Sequence, residues 1–305
     1  MKTEYHSPAL FAESIEKLNL QKDGVYVDAT FGGGGHSAGI LKELGEKGHL
    51  IAFDKDADAQ QNRIEDARLQ LIKTDFKFID KVLEEAGIDG VDGILADLGI
   101  SSHQIDVAER GFSFRFDAVL DMRMDRENEM SAVEVLNEYS ESELLRIFRD
   151  FGEIRQAARL AATIVKSRSV EAIATTARLR GVVAEMVKAT NLNKILTLVY
   201  QALRIEVNQE LEALEMLLEG GLKMLKPGGR MAIISYHSLE DRMVKHFFRF
   251  GNLQGEDRRD FYGRSLSPLK VITRKAVMPS TDEIDMNPRA RSARLRVAER
   301  IEIEE

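Results

Sequence analysis

The chain has 305 residues, 44% hydrophobic and 31% charged, a balance typical of a soluble protein with one large or two ordinary domains. It has a net charge of -8, no cysteine, and no apolar run long enough to cross a bilayer. These features exclude disulfide and thiolate chemistry and an integral membrane protein. The N-terminus shows no secretory pattern, so we expect a cytoplasmic protein.

The first strong motif lies in residues 25–37, where an apolar β-branched stretch is followed by four consecutive glycines. Val25, Val27 and Ala29 predict a buried parallel strand, which ends near Asp28. The glycines allow a sharp turn and the close approach of a ligand to the backbone. A helix over residues 37–44 would point its free N–H groups into this loop, as in nucleotide-binding sites.

Three further apolar stretches also end at acidic residues: 49–54 at Asp54, 68–73 shortly before Asp75, and 91–97 at Asp97. Ligands of doubly wound α/β sheets bind at the carboxyl ends of parallel strands, so we expect these acids at one sheet edge. Asp54 follows Gly34 by twenty residues, a spacing that suits a carboxylate binding ribose hydroxyls. The alternative for Asp54 is the N-cap of a helix over residues 57–68.

A nicotinamide-dependent dehydrogenase also has a glycine loop followed by an acid, but the third glycine of its motif is Ser37 here, and His36 intervenes. A loop containing glycine and two serines follows Asp97. This combination is more typical of S-adenosylmethionine-dependent methyltransferases.

The region between the fourth strand and the next one, at 229–235, is too long for an ordinary crossover. Ser131 with Glu134 and Ser140 with Glu143 match capping boxes, and helix-spaced apolar positions follow. We therefore predict an inserted all-helical domain at 105–206, within a catalytic domain formed by residues 1–104 and 207–305. A helix at 209–225 would lead back into the sheet, which strands at 269–275 and 293–297 would complete.

Basic residues are concentrated in the C-terminal third, where residues 242–275 contain nine lysines and arginines against three acids. Arginines and aromatic residues also alternate at 110–116. Basic runs are more often solvated surface than nucleic-acid-binding segments. The alternating arginines and aromatic residues at 110–116 fit the binding of a nucleic-acid strand and the docking of the inserted domain equally well, so neither segment decides the function alone.

Taken together, these motifs resemble the bacterial ribosomal RNA small subunit methyltransferase H family, which methylates the N4 amine of a cytidine in 16S ribosomal RNA near the decoding centre. The resemblance extends from His6 to Ala298. Its most specific segments are residues 28–37, 97–102, 109–114, 120–125 and 237–242. It implies a Rossmann-like class I methyltransferase sheet with S-adenosyl-L-methionine as cofactor.

The resemblance also implies roles for individual residues. It places Gly34, Gly35 and His36 along the methionine part of the cofactor. Asp54 would bind the ribose and Phe78 would lie against the adenine, while Asp97 and Gln104 complete the pocket. This chain departs from the commoner family pattern at three places: His103 instead of proline, residues 118–119 instead of Gly-Pro, and Tyr236 instead of phenylalanine.

The acceptor chemistry suggests a catalytic role for Asp97, because the exocyclic amine of cytosine is a poor nucleophile. A carboxylate that accepts a hydrogen bond from this amine would favour a pyramidal nitrogen and later take its proton. Tyr236 or His237 would then pack against the flipped base. The alternative is that Asp97 binds only the amino group of the cofactor.

The six histidines are scattered without the paired spacing of a zinc site, so we predict no metal. The expected partner is small-subunit ribosomal RNA, within an assembled or late-assembly subunit, and a homodimer is possible. Two alternatives remain: a DNA cytosine-N4 or adenine-N6 methyltransferase, and a non-catalytic RNA-binding assembly factor.

Overall fold

A computed structural model describes residues 8–302, so His6 and Ser7, where the resemblance begins, lie outside the described residues. The chain forms two compact units. The first contains the residues up to Gly99 and those from Leu211 onward, and the second is Ile100–Glu210. The boundaries expected from the sequence were 104/105 and 206/207.

Seven strands of the described residues form a single sheet in the order β3-β2-β1-β4-β5-β7-β6. They are β1 (Val25–Asp28), β2 (His49–Asp54), β3 (Leu69–Lys73), β4 (Val91–Asp97), β5 (Leu225–Ser235), β6 (Leu269–Val271) and β7 (Arg294–Arg300). The first five are parallel, whereas β7 pairs antiparallel with both β5 and β6. The predicted Rossmann-like α/β sheet is therefore confirmed.

The α-helices of the described residues surround this sheet or build the second unit. They are α1 (Phe11–Leu18), α2 (Gly35–Glu43), α3 (Ile79–Glu85), α4 (Ser102–Asp106), α5 (Ala132–Glu138), α6 (Glu141–Asp150), α7 (Ala157–Arg168), α8 (Thr176–Ala184), α9 (Ala189–Asn208), α10 (Glu210–Met224), α11 (Ser238–Phe250) and α12 (Thr281–Met286). None of them is long and apolar enough to span a membrane.

The core of the first unit lies on both faces of the sheet because side chains alternate along each strand. Val27 and Ile94 belong to the cluster on one face, while Tyr26 and Leu95 belong to the other. Both faces are apolar, as expected when helices cover a parallel sheet on both sides. Polar side chains are therefore left to the strand ends.

The second unit has a separate core formed by its helices. The predicted capping boxes at Ser131 and Ser140 are present and begin α5 and α6. Asn208, at the end of α9, accepts a hydrogen bond from the Met124 backbone N–H at 2.7 Å and donates to the Met122 carbonyl at 2.8 Å. This buried amide fixes the segment that precedes α5 against the last helix of the unit.

The segment after β2 differs from the expected helix at residues 57–68. Only a 3₁₀ helix forms there, at Ala57–Asn62. Its N-cap is Asp56, whose side chain accepts the Asp58 N–H at 3.0 Å. The alternative that Asp54 is the N-cap of a helix here is therefore wrong, whereas its expected contact with the ribose stays a prediction.

Candidate functional site

The glycine loop lies between β1 and α2, at the carboxyl end of the parallel strands. Gly32 and Gly34 have φ angles of +52° and +76°, in the left-handed region that other residues rarely adopt. A Cβ on Gly34 would lie 3.0 Å from the Phe31 ring. The loop therefore requires glycine at this position for both its backbone conformation and its packing.

Asp28 holds the glycine loop from the side of β1. It is fully buried and accepts hydrogen bonds from the Ser37 hydroxyl at 2.6 Å and the Thr30 N–H at 3.1 Å. Burial raises the pKa of Asp28 to about 6, although both hydrogen bonds oppose the rise. This carboxyl therefore links the end of β1 to the first turn of α2 through its hydrogen bonds.

Asp54 holds the same loop from the side of β2. Its two oxygens accept the backbone N–H groups of Gly32 and Asp56, each at 2.8 Å. Burial raises the pKa of Asp54 to about 6. Each carboxylate oxygen has a second lone pair, so Asp54 keeps the capacity to accept hydroxyl groups of a ligand while it fixes the loop.

Asp97 ends β4 beside this loop, and its backbone N–H donates to the Thr30 hydroxyl at 2.7 Å. Its Oδ1 accepts a hydrogen bond from the Tyr236 hydroxyl at 2.8 Å. About a fifth of the Asp97 side chain is exposed. Burial raises the pKa of Asp97 to about 7, helped by the nearby charges of Asp28 and Glu240 and opposed by the Tyr236 hydrogen bond. This carboxyl can therefore gain or lose a proton near neutral pH.

The Tyr236 ring lies at the end of β5, the strand next to β4 in the sheet. A Cβ on Gly99 would lie 3.2 Å from this ring, and Gly99 has a φ of +111°. Burial, together with the Asp97 charge, raises the pKa of Tyr236 well above its ordinary value. Tyr236 therefore stays protonated and acts as a hydrogen-bond donor to Asp97.

His36 lies in the first turn of α2, close to Asp97. Its Nδ1 lies 3.8 Å from Asp97 Oδ2, too far for a hydrogen bond, and its Nε2 is buried with no hydrogen-bond partner among residues 8–302. Burial lowers the pKa of His36 to about 4, so the ring is neutral at physiological pH. An unsatisfied buried nitrogen beside a glycine loop is a plausible contact for a polar ligand.

Phe78 lies where an adenine-binding aromatic residue was expected, at the end of a 3₁₀ turn (Phe76–Phe78) that follows β3. It is only partly buried, and the Lys77 and Lys81 ammonium groups lie 5.2 and 5.7 Å from the centre of its ring. By contrast, Phe76 packs against the core. Phe78 is thus the aromatic residue of this turn that remains available to a ligand.

His237 does not reach outward as a base-contacting residue would. Its Nδ1 accepts the Glu240 N–H at 3.4 Å as the N-cap of α11, and its Nε2 lies 3.2 Å from Glu240 Oε1. In return, Glu240 accepts the Tyr236 N–H at 2.9 Å. The pair therefore fixes the backbone that carries Tyr236.

Gln104 lies in the second unit, within α4. Its Oε1 accepts the Ser101 N–H at 3.0 Å, and its backbone N–H donates to the Ser101 hydroxyl at 3.2 Å. This capping box begins α4 immediately after the loop that follows Asp97.

Sequence reasoning did not single out Glu240, Thr30 or Ser37 as residues of this site. The spacing of His237 and Glu240 matches a capping box, a signal that was available in the sequence although histidine is an unusual N-cap. Thr30 and Ser37 lie within the glycine motif but carry no distinctive spacing. Their role follows only from the fold, which brings β1, β4 and α2 together.

Residues of the first unit thus combine a glycine cradle, a ribose-type acceptor, a partly exposed aromatic ring and an acid with a pKa near 7. The left-handed glycines and the Nε2 of His36, which is unpartnered within the described part of the chain, fit a ligand that carries both an adenosine and a polar chain. The loop leaves no room at Gly34 for a larger residue.

Comparison with known proteins gives a consistent result over nearly the whole chain. The model of the MraW methylase family matches residues 3–301. A protein of Flavobacterium johnsoniae named ribosomal RNA small subunit methyltransferase H is 53% identical over 298 residues, covering 98% of each chain. Proteins with the same name from Phocaeicola vulgatus and Flavobacterium psychrophilum are 47% and 50% identical, covering 97% and 95% of this chain and 97% and 100% of theirs. The chain belongs to the MraW methylase family.

Proposed function

We propose that this protein transfers a methyl group from S-adenosyl-L-methionine to the N4 amine of a cytidine in small-subunit (16S) ribosomal RNA. Its relatives, at about half identity over nearly full length, bear the name of this activity. The observation that carries the proposal is the Asp97 carboxyl, which ends β4 beside the glycine loop with a pKa of about 7. Its Oδ1 is occupied by Tyr236, which leaves Oδ2 for a substrate proton.

The cofactor residues proposed here are those of the glycine loop and its neighbours. Gly34, Gly35 and His36 would contact the methionine part, with His36 using its unpartnered Nε2. Asp54 would accept the ribose hydroxyls and Phe78 would cover the adenine. Asp97 would complete the pocket on the side of β4, and the cofactor contact implied for Gln104 stays a prediction. When bound, the cofactor supplies a methyl group on a sulfonium that is already a good leaving group.

The protein must then activate the amine. In the proposed reaction the N4 lone pair forms the new bond to the methyl carbon, the carbon–sulfur bond breaks, and the N4 proton passes to Asp97 Oδ2. Asp97 must be ionised to accept this proton, so the rate should rise as the pH passes through about 7. Positioning of the two reactants supplies much of the remaining acceleration.

Tyr236 is the residue proposed to pack against the flipped cytosine, since its ring lies beside Asp97 and its hydroxyl holds the carboxylate. His237 is less suited to this contact with the base. It caps α11 and only 7% of its side chain is exposed, so we assign it to positioning Tyr236.

The broader setting follows from the same proposal. The helical unit would recognise the RNA, and the protein would act in the cytoplasm on an assembled or late-assembly small subunit. A homodimer is the oligomeric state that goes with this proposal. Sedimentation of the purified protein at micromolar concentration tests the homodimer.

The decisive experiment incubates the protein and labelled S-adenosylmethionine with small subunits from cells that lack this modification, and in parallel with the naked RNA. The expected product is N4-methylcytidine at one position, identified by nucleoside digestion and mass spectrometry. Methylation of deoxycytidine or deoxyadenosine acceptors instead would favour a DNA enzyme, because RNA recognition depends on the 2′-hydroxyl. Cofactor uptake without any methyl transfer would indicate a non-catalytic assembly factor.

The Asp97→Asn variant tests the role of the carboxylate. At saturating cofactor its turnover should fall by about 100-fold or more, as for the loss of a general base. Unchanged turnover with weaker cofactor binding would show that Asp97 binds only the cofactor.

A further inference from the structure

The solvent-exposed side of α11 carries no acidic residue. Beyond its first residue, Ser238, the exposed positions of this helix are Arg242, Lys245, His246 and Arg249. Lys245 and His246 are adjacent, and each lies three or four residues from both Arg242 and Arg249, so the four positions share one face of the helix. We call them the α11 basic face.

The two acids of this helix are turned away from solvent. Glu240 is 3% exposed and caps the first turn, while Asp241 accepts hydrogen bonds from Arg296 at 2.7 and 3.1 Å. The exposed charge of α11 is therefore positive, although the whole chain has a net charge of -8. A polyanion would be repelled by the average surface and attracted to this face.

The position of α11 connects its basic face with the proposed site. The helix begins at Ser238, two residues after Tyr236 and close to the carboxyl end of β5. Tyr236 is the residue that donates to Asp97, so α11 starts beside the proposed site. From Arg242 to Arg249 the rise along the helix is roughly 10 Å, so the basic face can contact more than one phosphate of a strand.

The loop after α11 offers the other type of group that binds single-stranded RNA. Phe261 is 97% exposed and Tyr262 is 82% exposed, and their ring centres lie 5.6 Å apart in an edge-to-face arrangement. Asp260 holds this turn by accepting the backbone N–H groups of Tyr262 and Arg264, each at 2.8 Å. We call Phe261 and Tyr262 the aromatic tip.

Two large rings side by side on a hydrogen-bonded turn form an exposed apolar patch, and such patches often mark a binding site. Bases of a single strand stack on such rings in a sequence-tolerant way, and adjacent arginines favour the backbone. A neighbouring arginine, Arg264, is itself exposed. The aromatic tip and the α11 basic face therefore both carry groups that bind single-stranded RNA.

We propose that the α11 basic face binds the phosphates of the substrate RNA next to the target cytidine, and that the aromatic tip stacks on its bases. This inference rests on the proposed function and specifies which surface of the catalytic unit holds the RNA. It assigns binding, not chemistry, to these residues.

The test uses the full chain and a fluorescein-labelled single-stranded RNA of 20 nucleotides. The double variant Lys245→Gln/Arg249→Gln should weaken RNA binding about tenfold at 100 mM salt. It should also reduce the slope of log K against log salt by about 1.4, or 0.7 per lost phosphate contact. Phe261→Ser/Tyr262→Ser should weaken binding to a similar extent but leave the salt slope unchanged, since stacking releases no counterions.

The matched control is Lys42→Gln/Lys47→Gln, which removes the same charge from exposed positions near the end of α2. It should leave both affinity and slope within error of the unaltered protein. With undermethylated small subunits as substrate, the α11 and tip variants should raise KM at unchanged kcat. Cofactor binding, measured by calorimetry with S-adenosylhomocysteine, should be unaffected in all three.

Several results would overturn the proposal. If the α11 variant behaves like the control, the basic face does not bind the RNA, and if the tip variant changes only self-association, the rings contact protein. Either result refutes the proposed RNA-binding surface but not the proposed function, provided that the unaltered protein methylates the subunits. If the unaltered protein binds S-adenosylhomocysteine but neither binds nor methylates RNA, the proposed function fails as well.

Discussion

Replacement of Asp97 by asparagine should stabilise the protein above neutral pH while it removes the proposed base. The pKa of this carboxyl is about 7 in the folded protein, against an ordinary value of 3.8. Below about pH 4 the carboxyl is protonated in both the folded and the unfolded form, so it does not make the free energy of unfolding depend on pH. Between these two values the unfolded form loses its proton first, so the stability of the folded protein falls as the pH rises.

The size of this effect follows from the pKa difference. At 1.36 kcal/mol per pKa unit, the raised pKa of Asp97 lowers the free energy of unfolding by at most about 4 kcal/mol above pH 7 and by about 2 kcal/mol at pH 5. Asparagine has a similar shape and can still accept the Tyr236 hydrogen bond, but it carries no charge. The variant should therefore gain up to about 4 kcal/mol at pH 8 and clearly less at pH 5.

Urea unfolding followed by circular dichroism at both pH values measures the gain. Asp89→Asn, at an exposed position between α3 and β4, is the matched control and should change stability by less than about 0.5 kcal/mol at either pH. The reasoning is refuted if Asp97→Asn is no more stable than the unaltered protein at pH 8, or if its gain is equal at the two pH values.

Three further variants test the site. Tyr236→Phe removes a hydrogen bond that lowers the pKa of Asp97, so the acid limb of the kcat/KM profile should move to higher pH. An unmoved limb would show that the Tyr236 hydroxyl does not affect the pKa of the catalytic group. Gly34→Ala places a Cβ at a φ of +76° and should cost about 1–2 kcal/mol and abolish S-adenosylhomocysteine binding in calorimetry. Its control, Gly181→Ala in α8, has open space and should stabilise by about 0.5–1 kcal/mol. Phe78→Ala should weaken S-adenosylhomocysteine binding about tenfold or more through lost stacking, whereas unchanged affinity would place the adenine elsewhere.

The strands were the most predictable elements. Parallel strands covered on both sides are continuous apolar runs, and here β1, β2 and β4 each end at an acid, so sequence and structure agree within a few residues. The helix expected at 57–68 failed because its sequence has few apolar residues to bury, with Ala59 the only one fully buried in the 3₁₀ segment. Without a buried face, a helix in this position gains little from tertiary packing.

The candidate residues of the site were also accessible from sequence, but their connections were not. Asp97 and Tyr236 are 139 positions apart, and their hydrogen bond depends on the pairing of β4 with β5. The role of His237 as a helix cap likewise depends on the backbone geometry at the start of α11. Local sequence gives the residue types at a strand end, whereas the fold decides which of their atoms meet.

The pairing of β4 with β5 also has a consequence for synthesis of the chain. Ile94 lies opposite Met231, so more than a hundred residues must be translated before one edge of β4 gains its neighbour. At typical bacterial speeds this interval lasts on the order of 10 s. During that time the backbone N–H and C=O groups along this edge of β4 lack their strand partner, whereas the core of the helical unit, which ends at Val207, is complete before Met231 is made. The length of the helical insertion therefore sets the shortest period for which β4 stays an unpaired edge that is vulnerable to aggregation.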